Sequence, residues 1–231
     1  MTIGLGILFQ DKALLCIDAC EYRPQEGRRF NYNAIKYFRL TGNIFYVQGG
    51  LVNASSYIMK KMRELNIDSF EKLEQALTNN VFSSSYSDFV SIHSKKYPDI
   101  LTSWELNYYT VIFAGQKTNK DLFLAYMRFS LDKDSKCHYS YSFSDTQPAM
   151  YTTLNYLAEE SDELWKNIQL CKNMAQLRKA CIRTVELLAN KSHYITPWGV
   201  FIELNTKKVK TYSFNNLKKL LCLIKGGNHE R

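Results

Sequence analysis

The chain has 231 residues, 45% of them hydrophobic, and a net charge of +8. This length and composition exclude a disordered, collagen-like or coiled-coil chain as the dominant state and leave enough residues to bury a core. Tyr (16) and Phe (13) are abundant and Pro (4) is scarce, which favours pleated sheet.

Residues 2–9 alternate, with Ile3, Leu5, Ile7 and Phe9 on one face and Thr2, Gly4, Gly6 and Leu8 on the other. A turn at Gln10-Asp11-Lys12 leads to a second apolar run, 13–19, so the pair reads as a hairpin. A polar loop with Pro24 and Gly27 follows. Runs 35–40 and 43–48, split by Thr41-Gly42, predict another hairpin, which Gly49-Gly50 ends. Helical spacing then covers 52–65. Asp68 is the expected cap of a second helix carrying Phe70, Leu73 and Leu77, and a third spans 85–96. Strands are expected at 104–115, 121–130 and 136–144. Helices are expected over 148–190, with Leu154, Leu157, Trp165, Ile168, Leu177, Val185 and Leu188 toward the core. Strands at 198–204 and 208–214 and a basic helix at 215–225 complete the pattern. Hairpin blocks separated by helix pairs predict two stacked sheets with helices outside, in one domain over 1–231.

The six cysteines form no C-x-x-C pair and no zinc spacing, so they read as buried thiols of a reducing cytoplasm. The apolar start lacks a basic leader and is broken by Asp11, Lys12 and Asp18, and no run is long enough to span a bilayer. No metal or cofactor motif is present, and the four histidines are scattered. The positive charge carries no nucleic-acid signature, because Lys207, Lys208, Lys210, Lys218, Lys219 and Lys225 gather on the last hairpin and helix as a solvated or inter-subunit face.

Chemistry concentrates near the start. The small Thr2 after Met1 suits removal of the initiator, which would leave a hydroxyl and an α-amine on one residue. That amine titrates at about 7.7–8.0, so part of it is neutral near physiological pH and can help deprotonate the hydroxyl. Asp18 lies within an apolar run, where a carboxylate needs partners. Lys36 opens a strand able to lie beside the first hairpin. Gly49-Gly50, at a strand-to-helix junction, offers unobstructed N–H groups to an oxyanion.

Together the segment from Thr2 to Asp18, K-Y-F-R-L-T-G-N-I-F-Y-V-Q-G-G-L at 36–51, and V-I-F-A-G-Q with D-L-F-L-A-Y at 111–126 resemble proteasome β-type subunits and the bacterial peptidase HslV. The resemblance implies an α+β, four-layer αββα sandwich of the N-terminal-nucleophile type. It implies Thr2 as nucleophile, Lys36 as the group easing its deprotonation, Asp18 as its orienting partner, and Gly49 as oxyanion donor. Ala34, Phe38, Val47 and Leu51 would line an apolar substrate pocket. Two supporting features depart from the pattern. The Gly-Ser-Gly turn before the third helix is replaced by 142–145, leaving Ser144 (or Ser142) as the stand-in, and an Asp near the last hairpin is replaced by Ser192 or Thr196. The expectation is a threonine-type peptidase without cofactor, acting on peptides or proteins in a homo-oligomeric ring, with room for an ATPase partner. The alternative is an inactive subunit of the same fold serving structure or interaction.

Overall fold

The computed structural model describes residues 3–23, 29–31, 37–50, 52–96, 108–132, 136–153, 158–192 and 195–215. In chain order, β1 (Gly4–Phe9), β2 (Lys12–Asp18), β3 (Glu21–Arg23), β4 (Arg29–Asn31), β5 (Tyr37–Arg39) and β6 (Ile44–Gly50) come first. The helices α1 (Val52–Glu64), α2 (Phe70–Thr78) and α3 (Ser83–Lys96) follow. Next are β7 (Tyr108–Gln116), β8 (Leu122–Leu131), β9 (Cys137–Ser144) and β10 (Ala149–Thr152). Then come α4 (Ala158–Leu170), α5 (Met174–Lys191), β11 (Gly199–Asn205) and β12 (Val209–Phe214).

Alternation along β1 sets the layering. Ile3, Leu5, Ile7 and Phe9 enter a cluster with Leu164, Ile168, Leu177, Val185 and Leu188 of α4 and α5. Leu8 points the other way, into a cluster shared by the two sheets. Gly4 and Gly6 lie on that second face. A Cβ at Gly6 would stand 2.5 Å from Ile112 Cγ2, and one at Gly4 3.3 Å from Val47 Cγ2. The missing side chains therefore let the sheets close on one another.

The first sheet runs β10-β1-β2-β11-β12 and the second β5-β6-β7-β8-β9, every pairing antiparallel. Between them pack Leu8, Leu15 and Ile17 against Val47, Ile112 and Leu124. On the far face of the second sheet, Tyr46, Phe113, Phe123 and Phe129 meet Ile58, Phe70, Leu73 and Phe89 of α1–α3, with Phe82 from the turn between α2 and α3. The result is the expected αββα sandwich.

Several local expectations change. The polar loop after β2 contains a two-stranded ribbon, β3–β4, in which Glu21 pairs with Asn31. The expected helical stretch 148–190 begins with a strand: β10 borders β1, Leu5 opposite Thr152 and Leu8 opposite Ala149. The unpaired edge of β1 supplies the hydrogen-bonding groups that a four-residue segment cannot supply itself. The cap of α2 is Ser69, which accepts the Lys72 N–H, while Asp68 pairs with Lys72 Nζ at 2.8 Å. Lys207, Lys208 and Lys210 are exposed as expected. Lys218, Lys219, Lys225 and the final helix, like Leu154 and Leu157, lie outside the described residues. Among the described residues no helix is long and apolar enough to cross a membrane.

Candidate active site

β2 ends in Asp18, a carboxylate only 1% exposed after the apolar run Leu14–Ile17. Such a charge is held only by hydrogen bonds or an ion pair. Oδ1 accepts the Ile3 N–H at 3.0 Å, and Oδ2 accepts the Cys20 N–H at 2.9 Å and the Thr196 N–H at 3.3 Å. The Asp18 N–H in turn donates to the Ile3 carbonyl at 3.1 Å. Ile3 immediately precedes β1, so Asp18 anchors the chain at the entry to β1. Thr196 is itself 2% exposed. Its hydroxyl accepts the Ala19 N–H and donates to the Trp198 carbonyl, both at 2.9 Å, tying the segment before β11 to the end of β2.

The end of β6 comes to the same place through Thr153. The Thr153 hydroxyl accepts the Gly4 N–H at 2.8 Å, and the Thr153 N–H donates to the Gly4 carbonyl at 2.9 Å. A Cβ on Gly49 would stand 2.8 Å from Thr153 Cβ and 2.9 Å from its Oγ1. Gly49 and Gly4 thus flank one fully buried threonine. The residue before Gly49 is fixed by its own side chain: the Gln48 Oε1 accepts the hydroxyls of Tyr109 and Ser55, each at 2.7 Å. Gly50 has φ of 95°, and a Cβ there would lie 2.0 Å from the Tyr108 carbonyl oxygen, so only glycine makes this turn into α1. Burial, then the neighbouring Cys181 and Asp18, raise the Cys16 pKa well above its ordinary value and keep that thiol neutral.

The structure therefore gathers Asp18, Gly49 and Thr196 of the residues named from sequence, and adds Thr153. Val47 is buried between the sheets beside Gly4. Phe38 is not with it. Phe38 lies on the helix side, stacked on Tyr46 at 5.1 Å and 22°, and Tyr37 takes the face shared with Val47. Ser144 is also elsewhere. It faces Leu124, four residues along β8 from Arg128, whereas Gly49 shares its cross-sheet row with Thr110, Arg128 and Ser140. Strand spacing and rise put Ser144 about 20 Å from Gly49. The turn before the next helix instead carries Thr153, because β10 intervenes after 142–145. Thr2, Ala34, Lys36 and Leu51 lie outside the described residues. Among the described residues no group of three or more His, Cys, Asp or Glu could hold a metal ion.

No protein-family model matches the chain, and no curated protein matches it in sequence. Solved structures do match in shape. One is a Gly-1 mutant of Anbu from Hyphomicrobium sp. strain MC1, with TM-score 0.54 and 10% identity over 98% of this chain and 93% of that one. Another is the helical assembly of the Anbu complex from Pseudomonas aeruginosa, with TM-score 0.60 and 9% identity over 97% of this chain and 91% of that one. The chain shares its fold with Anbu proteins. This corrects the resemblance drawn from sequence: the folds it matches here are those of Anbu, in place of a proteasome β subunit or HslV.

Proposed function

We propose that this chain is an amide-bond hydrolase of the N-terminal-nucleophile type, one domain over 1–231, with Thr2 as its nucleophile once Met1 is removed. The observation that carries the reading is the anchoring of the Ile3 N–H on buried Asp18, beside the Gly4–Thr153–Gly49 contact. A carboxylate held by three backbone N–H groups at the entry to β1 is a costly arrangement that chain reversal alone does not require.

In the proposed reaction the Thr2 hydroxyl adds to the substrate carbonyl and its proton passes to the α-amine. Lys36, oriented by Asp18, lowers the barrier to that transfer. The Gly49 N–H stabilises the tetrahedral oxyanion. Collapse breaks the C–N bond, the protonated amine returns the proton to the leaving nitrogen, and an ester to Thr2 remains. Water cleaves the ester, releasing the acid and restoring Thr2. Thr153 and Thr196 act as positioning residues, holding β1 and the end of β2. The helical assembly of the Pseudomonas aeruginosa Anbu complex supports an oligomeric working state, and we place the protein in the cytoplasm.

The test is turnover of a panel of capped fluorogenic peptide amides by the full chain. Thr2→Ala and Lys36→Ala are expected to abolish turnover without changing the melting temperature. Wild-type turnover in Thr2→Ala, or no turnover of any peptide by the wild-type chain, would refute the reading; the latter favours an assembly subunit without catalysis.

A further inference from the structure

The row that contains Gly49 continues outward across the second sheet. Gly49 faces Thr110, Thr110 faces Arg128, and Arg128 faces Ser140. Residues opposite one another in an antiparallel pair project to the same side. A Cβ on Gly49 would point at Thr153, so this side is the gap between the sheets. Exposure rises along the row, from buried Thr110 through half-buried Arg128 to exposed Ser140. The row thus runs from the candidate site toward solvent.

Two groups on this path are incompletely used. Thr110 is 0% exposed, and its hydroxyl has no hydrogen-bond partner among the described residues. A buried hydroxyl without a partner is uncommon and costly. The Arg128 side chain forms no ion pair or hydrogen bond among the described residues. Its guanidinium lies over the Tyr108 ring, 5.3 Å from the centre, a contact that uses none of its N–H donors. The acid just after β8, Asp132, is engaged by His138 Nε2 and by the Lys136 N–H, each at 2.8 Å.

We propose that this row is a substrate subsite in which Arg128 receives a carboxylate of the bound peptide, with the Thr110 hydroxyl donating to the same peptide. The inference rests on the hydrolase reading for its substrate class. Two strand spacings separate Gly49 from Arg128, about 10 Å, and an extended peptide advances about 3.3 Å per residue. The carboxylate therefore belongs two or three residues from the bond that is cleaved. It is supplied by an acidic side chain or by a peptide C-terminus.

The test is equilibrium binding to the full chain carrying Thr2→Ala, which needs no turnover. Fluorescent hexapeptides are compared by anisotropy: one with a single Glu and an amidated end, one neutral with a free C-terminal carboxylate, and one neutral and amidated. At least one carboxylate peptide is expected to bind about tenfold more tightly than the neutral one, as one charge-assisted hydrogen-bonded pair supplies. Which of the two binds identifies the source. Arg128→Gln should erase the preference at unchanged melting temperature, Arg128→Lys should keep part of it, and Arg128→Glu should transfer it to a Lys-containing peptide. No binding, no acid preference, or a preference that survives Arg128→Gln overturns the subsite. The hydrolase reading stands or falls separately, on modification of Thr2 by an electrophile.

Discussion

Replacing Asp18 by Ala tests how the entry to β1 is held. The substitution leaves three backbone donors in a buried region without their acceptor: Ile3 N–H at 3.0 Å, Cys20 N–H at 2.9 Å and Thr196 N–H at 3.3 Å. Each orphaned buried donor costs about 1–3 kcal/mol, the longest bond least. Relief of the buried charge offsets part of this. The expected net loss is about 3–5 kcal/mol, a large share of the roughly 5–15 kcal/mol that holds a typical domain. For a chain of this length that lowers the melting temperature by roughly 6–20 °C. Asp18→Asn keeps one acceptor oxygen but turns an amide NH₂ toward an N–H group, so it should fall between Ala and the parent. Urea unfolding followed by circular dichroism and by Trp fluorescence measures the change. An Asp18→Ala protein within about 0.5 kcal/mol of the parent would refute the claim that this carboxylate anchors β1.

Gly49→Ala should cost about 1–3 kcal/mol by overpacking, because its Cβ would stand 2.8 Å from Thr153 Cβ; an unchanged urea midpoint would contradict the packing. Glu203, 8% exposed, sits between Arg178 Nη1 at 2.9 Å and Lys12 Nζ at 3.4 Å. Glu203→Ala strands half-buried cations and is expected to cost about 3 kcal/mol in the same assay; a loss below about 0.5 kcal/mol would show that neither ion pair matters to stability. Burial pushes the Cys181 thiol up to about 12, and Cys16 is raised by the same cause. Native protein at pH 8 should therefore resist iodoacetamide at both positions, read by peptide mass spectrometry, and alkylation of Cys181 before unfolding would contradict the burial. Because the folded-state value is the higher one, Cys181 contributes stability below its ordinary value of 9.0, and that contribution is lost as pH climbs toward 12.

The layers are legible in the sequence because β1 writes them directly. Its large residues alternate with glycines, so one face feeds the helices and the other allows the sheets to touch. β10 is hidden because four half-buried residues carry no periodic signal; it is a strand only because β1 offers it an edge. With β10 inserted after β9, the turn expected at Ser144 falls at Thr153. Phe38 illustrates a different limit. It lies on the expected strand, but a one-residue change of parity moves a side chain to the other face, and only the pairing of Tyr37 with Val47 settles it. Asp18 stands out in the sequence because a carboxylate in an apolar run demands partners, and the fold supplies them. Arg128 gives no such signal, since nothing in its local sequence places it in the row of Gly49.

The proposed chemistry depends above all on residue 2. Intact-mass spectrometry of the purified full chain, before and after treatment with a peptide epoxyketone or a β-lactone, tests it most directly. The predicted result is a chain lacking Met1 that gains one adduct, mapped to Thr2 by fragmentation and absent in Thr2→Ala and Lys36→Ala. A chain that retains Met1 and takes up no adduct, or an adduct that persists in Thr2→Ala, would contradict it.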